Sequence, residues 1–232
     1  RTGTRQGADG RRRRRVTPGE MRSAASEVRA RRSARPDPSP LPAAFFARPA
    51  ETVARELLGA LLVSEVGGER VVCEIVETEA YIGPEDEASH AAERFGRTAR
   101  NDAMFGAAGI AYVYLIYGMH WCLNVVTGDE GFGAAVLIRA ARTVEGMDVV
   151  RGRRPGRPDR ELMRGPGNLA RALGVDGALN HHPMDRPPLW IAAGRAVPDG
   201  EVSVGPRIGI SRAADWPLRF WLAGDPHVSK NA

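Results

Sequence analysis

The sequence predicts an α+β fold in one domain, built on a sheet rich in antiparallel pairs. Three observations carry this. At 232 residues and 43% hydrophobic composition, the chain suffices for one sizeable core. Its strand-like runs are not interleaved with regular helices, which argues against a doubly wound sheet. One long run, "GIAYVYLIYGMHWCLNVVTG" (109–128), is β-branched and aromatic with a single break at Gly118, as in a hairpin.

The elements follow in order. "PAETVARELLGALLVSEV", from Pro49, reads as a helix running into a strand. Glu51 and Thr52 lie near its start, Leu57 and Leu58 in its last turn, and Gly59 is its stop. "RVVCEIVETEAYIG" alternates as a strand. Regular alternation puts Val71, Cys73, Ile75, Glu77, Glu79 and Tyr81 on one face. The 109–128 run gives two strands meeting near Tyr117-Gly118-Met119, without a standard two-residue turn signal. "GAAVLIRAA" (133–141) supplies a further strand, and "RGRRPGRPDR" (151–160) a basic loop. "RELMRGPGNLARALGV" starts and resumes a helix around Gly-Pro-Gly. "RIGISRAADWPLRFWLAG" closes with two strand-like pieces.

Charge is unevenly spread. Residues 1–40 hold twelve arginines against four acids, a net of +8. The other 192 residues hold 21 basic groups (33 − 12) and 24 acidic ones (28 − 4), a net of −3. Residues 1–40 therefore read as a disordered, Arg-rich tail ahead of a folded body at 41–232. Such a tail is either a solvated leader or a tether to a phosphate backbone. No apolar run reaches the ~20 residues that span a bilayer, and no signal peptide opens the chain. Cys73 and Cys122 lie in apolar runs and read as buried thiols, which fits a reducing cytoplasm.

The chemistry concentrates in "IVETEAYIGPEDEASH" (75–90). Glu79 and Tyr81 share a strand face, roughly 6.6–6.8 Å apart at two rises. A carboxylate there can activate water if its surroundings are partly apolar and a donor aligns it. Glu77 has the same parity, so the two acids form a glycosidase-like pair or one is a structural ion-pair member. His90 can return to the same pocket across the Gly-Pro loop. Tyr112 reads as an ordinary core tyrosine. Tyr117, at the bend beside Gly118 and flanked by Met119 and His120, reads as an exposed ring able to wedge between stacked bases. Tyr114 and Tyr81 can then sandwich an extruded base. His181-His182 has no acid or cysteine at zinc spacing and is not read as a metal site. "RGPGNLARAL" either sets a helix N-terminus against a phosphate or is a plain helix start. Arg151, Arg153, Arg154 and Arg157, together with Arg94, Arg97 and Arg100, are candidates for backbone contact.

"VETEAYIGPEDEASH", "AYVYLIYGMHWCLNV" and "RIGISRAADWPLRFWLAGDPHVS" together resemble the alkyladenine (methylpurine) DNA glycosylase family, over about Phe45 to Ser229. The resemblance implies a curved sheet with surrounding helices and a protruding β-hairpin. It implies an enzyme that flips a damaged purine from duplex DNA and hydrolyses its bond to deoxyribose, initiating base excision repair. The general base would be Glu79, with Arg139 helping to hold the catalytic water. Tyr81 and Tyr114 would stack on the base, His90 and Asn124 would complete its pocket, and Tyr117 would fill the gap in the duplex. Arg97 and Arg100 fall where a DNA-backbone contact would lie. His120 stands where several members carry another aromatic, and 91–103 differs in length. The partner is double-stranded DNA bearing damaged purines. A monomer in the bacterial cytoplasm, associated with the nucleoid and using no cofactor, is expected.

A glycosylase that also cuts the strand needs an amine to form a Schiff base with the sugar. The only lysine is Lys230, so a water-using, monofunctional reaction is expected. Two rivals stand beside this: a carbohydrate glycosidase using Glu77 and Glu79, and a non-catalytic binder of damaged DNA using the same hairpin.

Overall fold

The computed structural model describes residues 38–92 and 96–229. Residues 1–37 of the tail, Arg94 and Lys230 lie outside them. The described residues form an α+β domain around a curved sheet whose strand pairs are all antiparallel. The strands are β1 (Leu61–Ser64), β2 (Val71–Tyr81), β3 (Ala111–Ile116), β4 (His120–Thr127), β5 (Ala134–Glu145), β6 (Asp185–Arg186), β7 (Leu189–Ala192), β8 (Val202–Gly205) and β9 (Arg219–Leu222). Their order is β3-β4-β5-β2-β1-β7-β6. β9 pairs with β2 and carries β8 beyond it. The helices are α1 (Ala43–Phe46), α2 (Ala50–Glu56), α3 (Met147–Arg153) and α4 (Pro166–Leu173).

β2 is the hub. Its first half pairs with β1 and its second half with β9, while β5 runs along its other side. A strand paired on both edges and covered on both faces is buried throughout, and β2 is buried from Val71 to Ala80. Its alternation is not regular, because the register against β5 shifts between Ile75 and Glu77 and again between Glu77 and Thr78. Val71, Cys73 and Ile75 lie in the main apolar core, and so do Val76 and Ala80. The inward parity thus changes from odd to even, as a β-bulge allows. This corrects the single face expected from sequence: Glu77, Glu79 and Tyr81 lie opposite Ile75, not beside it. Thr78 marks the inward side, since its Oγ1 donates to the Ala54 carbonyl of α2 at 2.8 Å.

The main core lies between this face and the helices. Phe46, Val53, Ala54, Leu57, Leu169 and Leu173 meet Ile75, Val113, Leu123, Val136 and Ile138 there. Each large aliphatic side chain so buried contributes about 1.5–3 kcal/mol before the cost of ordering it. α2 ends at Glu56, with Leu57 as its cap and Gly59 at φ 82° just beyond. A Cβ on Gly59 would lie 2.6 Å from the Arg195 carbonyl oxygen, so close packing as well as φ requires the glycine here.

Several expectations are corrected. The 151–160 stretch is not all loop, because α3 runs through Arg153. The segment before Gly165 is a 3-10 turn at Asp159–Glu161, and the helix begins only at Pro166, which has no N–H to contribute. Of the two strand-like pieces at the end, only β9 is a strand; residues 206–218 form a loop between Pro206 and Pro217. The short strands β6, β7 and β8 went unread, being too brief to show a period.

Candidate active site

The sheet's second face carries the polar chemistry. Glu79 is fully buried and bound at both oxygens. Its Oε1 accepts from the Ile208 backbone N–H at 2.7 Å and lies 3.1 Å from Arg139 Nη1. Its Oε2 accepts from the Tyr81 hydroxyl at 3.0 Å. A carboxylate oxygen offers two lone pairs, so Oε2 retains one acceptor position. Glu77 is differently committed. Its Oε1 accepts from Arg219 Nε at 2.7 Å and Arg139 Nε at 3.2 Å, and its Oε2 from the Ser229 backbone N–H at 2.7 Å. It is the structural ion-pair member. The two-carboxylate arrangement of a carbohydrate glycosidase is therefore absent at Glu77 and Glu79. Burial alone would lower the Arg139 pKa, but Glu79 and Glu77 outweigh it and hold the value above ordinary.

A cavity of about 340 Å³ opens over this group, at the lower end of the ~300–1,000 Å³ of small-ligand sites. Tyr81, His90, Tyr112, Tyr114, Asn124 and Arg139 are among its walls, with Ile208 to Arg212 along one side. Glu79 lies beneath this wall, reaching it through Tyr81 and Arg139. Burial, and then the Glu79 charge, push the Tyr81 pKa well above its usual value, which keeps the phenol a donor to the acid. Burial also raises Tyr114, whose hydroxyl pairs with the Cys122 thiol. The sequence-predicted pocket residues are thus brought together.

The non-local partners are what sequence reasoning missed. Tyr112 is core, being 1% exposed, yet its hydroxyl lies 2.7 Å from His90 Nδ1 and orients that ring. The His90 ring stands edge-on to Tyr114, with centroids 4.5 Å apart. Burial, and then the charge of Arg100, lower the His90 pKa, so the imidazole is neutral near pH 7. Asn124 Nδ2 donates to the Tyr112 carbonyl at 2.9 Å. Asp86 caps the loop after β2, accepting from the Ile82 and Ala88 backbones, and forms a fully buried pair with Arg207. The acidic loop motif was the only signal for Asp86. None marked Arg207.

The hairpin of β3 and β4 presents Tyr117 and Met119 at its tip, 78% and 71% exposed. Tyr117 has φ 52°, which a bulky L-residue seldom adopts and which costs about 1–2 kcal/mol. Three residues separate the paired Ile116 and His120, which explains why no two-residue turn signal was visible. His120, next to the tip and also exposed, packs against the first turn of α4, where a Cβ on Gly167 would come within 2.9 Å of it. Arg97 pairs with Asp102 at 2.6 Å, and Arg100 donates to the Leu115 carbonyl while lying over Tyr114 at 5.9 Å.

Arg151 and Arg153 are engaged within the fold. Arg151 pairs with Asp159, and Arg153 donates to the carbonyls of Ala172 and Val66. They follow the end of β5, where Glu145 pairs with Val72, about seven residues or ~23 Å along β2 from Glu79. His182 Nε2 lies 3.0 Å from the Arg186 and Leu189 carbonyls, and His181 is 3.8 Å from Asp102. Among the described residues no three His, Cys, Asp or Glu side chains group as metal ligands. Cys73 and Cys122 are buried, unlinked thiols, and no described helix is long and apolar enough to cross a membrane.

The family described as methylpurine-DNA glycosylase matches residues 44–226. A protein of Myxococcus xanthus is 54% identical over 193 residues, covering 82% of this chain and 93% of the relative. One of Streptomyces avermitilis is 46% identical over 201 residues, covering 84% and 93%. One of Carboxydothermus hydrogenoformans is 45% identical over 191 residues, covering 82% and 98%. All three are named "Putative 3-methyladenine DNA glycosylase". The chain belongs to the methylpurine-DNA glycosylase family, DNA repair enzymes that hydrolyse N-glycosyl bonds.

Proposed function

We propose that the enzyme is a monofunctional glycosylase that flips an alkylated or deaminated purine out of duplex DNA and hydrolyses its N-glycosidic bond with a water activated by Glu79. The observation that carries this is the Glu79 carboxylate under the cavity wall, with Oε1 held by Ile208 and Arg139 and one acceptor position left on Oε2. Water bound at that position would give its proton to Glu79 as it attacks the sugar. The same charge would stabilise the oxocarbenium character that develops as the base departs.

The same reading gives the other residues their roles. Tyr81 and Tyr114 bracket the base, Asn124 and neutral His90 read its edge, and Arg139 fixes the acid. Tyr117, with Met119 beside it, enters the vacated stack. Unstacking a base costs a few kcal/mol, least for a damaged pair, and an inserted ring offsets it. Strain at Tyr117 fits a ring held outward for this purpose. Arg100, which lies over Tyr114 of the cavity wall, and Arg97 serve the phosphate backbone. A ring-alkylated purine is cationic and leaves readily, while hypoxanthine requires protonation, so its release is the more sensitive to pH. The protein acts as a monomer at the nucleoid, its folded body at 41–232 preceded by the Arg-rich residues 1–40, either a solvated leader or a tether to phosphate.

The test is a duplex carrying one hypoxanthine or one 3-methyladenine. Purified protein is expected to release the base and leave an intact abasic strand. Borohydride trapping of a protein–DNA adduct, with strand scission that survives Lys230→Ala, would overturn the monofunctional reading.

A further inference from the structure

One face of Tyr81 is already occupied. The Arg207 guanidinium lies over the ring, its Cζ 4.7 Å from the centroid. The side chains of Arg207 and its partner Asp86 are fully buried, with Arg207 Nη2 2.8 Å from Asp86 Oδ1. Arg207 Nη1 also donates to the Ala80 carbonyl at 3.0 Å, so the guanidinium is held from β2 and from the following loop together. Arg207 does not line the cavity, whereas Tyr81 and the adjacent Ile208 do. The arginine therefore covers the ring face turned away from the cavity, leaving the other for a ligand.

A cation against one face of an aromatic ring draws on the same quadrupole that would bind a cation on the other. Asp86 attenuates this field, but it is the guanidinium carbon that lies over the ring, 4.7 Å from its centroid. We propose that Arg207 is a specificity-determining residue, which weakens stacking of positively charged bases on Tyr81 and so tilts the enzyme toward neutral ones. This rests on the reading of the cavity as the site of a flipped base. It adds that the choice between charged and neutral bases is set in part by a residue that touches neither.

The experiment measures single-turnover release of 7-methylguanine, a cationic base, and of hypoxanthine, a neutral one, with enzyme in excess. The ratio of the two rates is the readout, because a loosened fold slows both. Asp86→Asn with Arg207→Gln replaces the ion pair by a neutral amide pair of similar shape. It is expected to raise the ratio in favour of 7-methylguanine by about three- to tenfold, the range of a partly screened cation–π contact. Asp86→Asn alone leaves the guanidinium without its counter-charge and is expected to move the ratio the opposite way. Arg207→Lys keeps a cation at the site, and its ratio is expected within twofold of wild type. An unchanged ratio in the neutral pair, or shifts of the same sign in the first two variants, would overturn the proposal. If the neutral pair fails to fold, the sign found with Asp86→Asn decides. A wild type that releases neither base would instead remove the reading beneath it.

Discussion

Replacing Glu79 by Gln separates chemistry from architecture, because the proposed mechanism gives Glu79 the chemistry while Glu77 is committed to two buried arginines. In Glu79→Gln the side-chain oxygen can still accept from Ile208 N–H and face Arg139, and the new amide N–H can donate to the Tyr81 hydroxyl. Arg139 keeps Glu77 as a counter-charge at 3.2 Å. The loss is then roughly one charge-assisted bond made neutral, about 1 kcal/mol of stability. Catalysis loses its base altogether, worth about 10²–10⁴ in rate, or ~2.7–5.5 kcal/mol of barrier. Glu77→Gln is the control. It neutralises the carboxylate that the buried Arg219 holds at 2.7 Å, while Arg139 keeps Glu79 at 3.1 Å, at about 3–5 kcal/mol. For a body of this size that lowers the melting temperature by roughly 6–20 °C. The assay is single-turnover release of hypoxanthine, with duplex binding by fluorescence anisotropy and thermal melting alongside. Glu79→Gln should bind DNA as wild type does, melt close to it, and fail to turn over. A Glu79→Gln rate within tenfold of wild type would refute the assignment of the base. Melting as low as that of Glu77→Gln would refute the division of roles.

Tyr117→Gly should exchange function for stability. It relieves left-handed strain of about 1–2 kcal/mol and loses little packing, against ~0.4–1 kcal/mol for a freer unfolded chain. The variant is expected to melt up to about 6 °C higher and to excise bases at least tenfold more slowly; a lower melting point with normal excision would contradict both parts. His90, held neutral by burial, gives a pH dependence whose sign is fixed. Its folded value lies below 6.5, so as pH falls through 6.5 the unfolded chain takes up the proton first and stability is lost. Melting between pH 7.5 and 5.5 should show this loss in wild type and less of it in His90→Gln. Arg100→Gln should move the His90 titration, followed by NMR of its ring protons, upward toward 6.5, since the Arg100 charge is one of the two causes of the depression.

Local pattern carried much of the site. The spacing of Glu79 and Tyr81, the aromatic run around Tyr114 and Tyr117, and the lone break at Gly118 are relations between residues a few positions apart, and β-geometry turns these into shared faces and a bend. Partners distant in sequence have no such trace. Arg207 meets Asp86 across 121 residues, and Arg219 meets Glu77 across 142. The bulge in β2 stands between these cases. With regular alternation through Ile75, the two glutamates would have faced Val53 and Leu57 of the helical core, where each unpaired carboxylate would cost several kcal/mol. The sequence bears a mark of the escape: Ile75 and Val76 are adjacent and both apolar, after which the small or apolar positions are Thr78 and Ala80 rather than the odd ones. A change of apolar parity within one strand, just before a run of acids, is what a register shift looks like before folding. Here it turns Glu77, Glu79 and Tyr81 together onto the face where Arg139 waits. The shift costs two successive irregularities in the ladder with β5 and spares the core two buried charges, so the same residues that need the bulge also specify it.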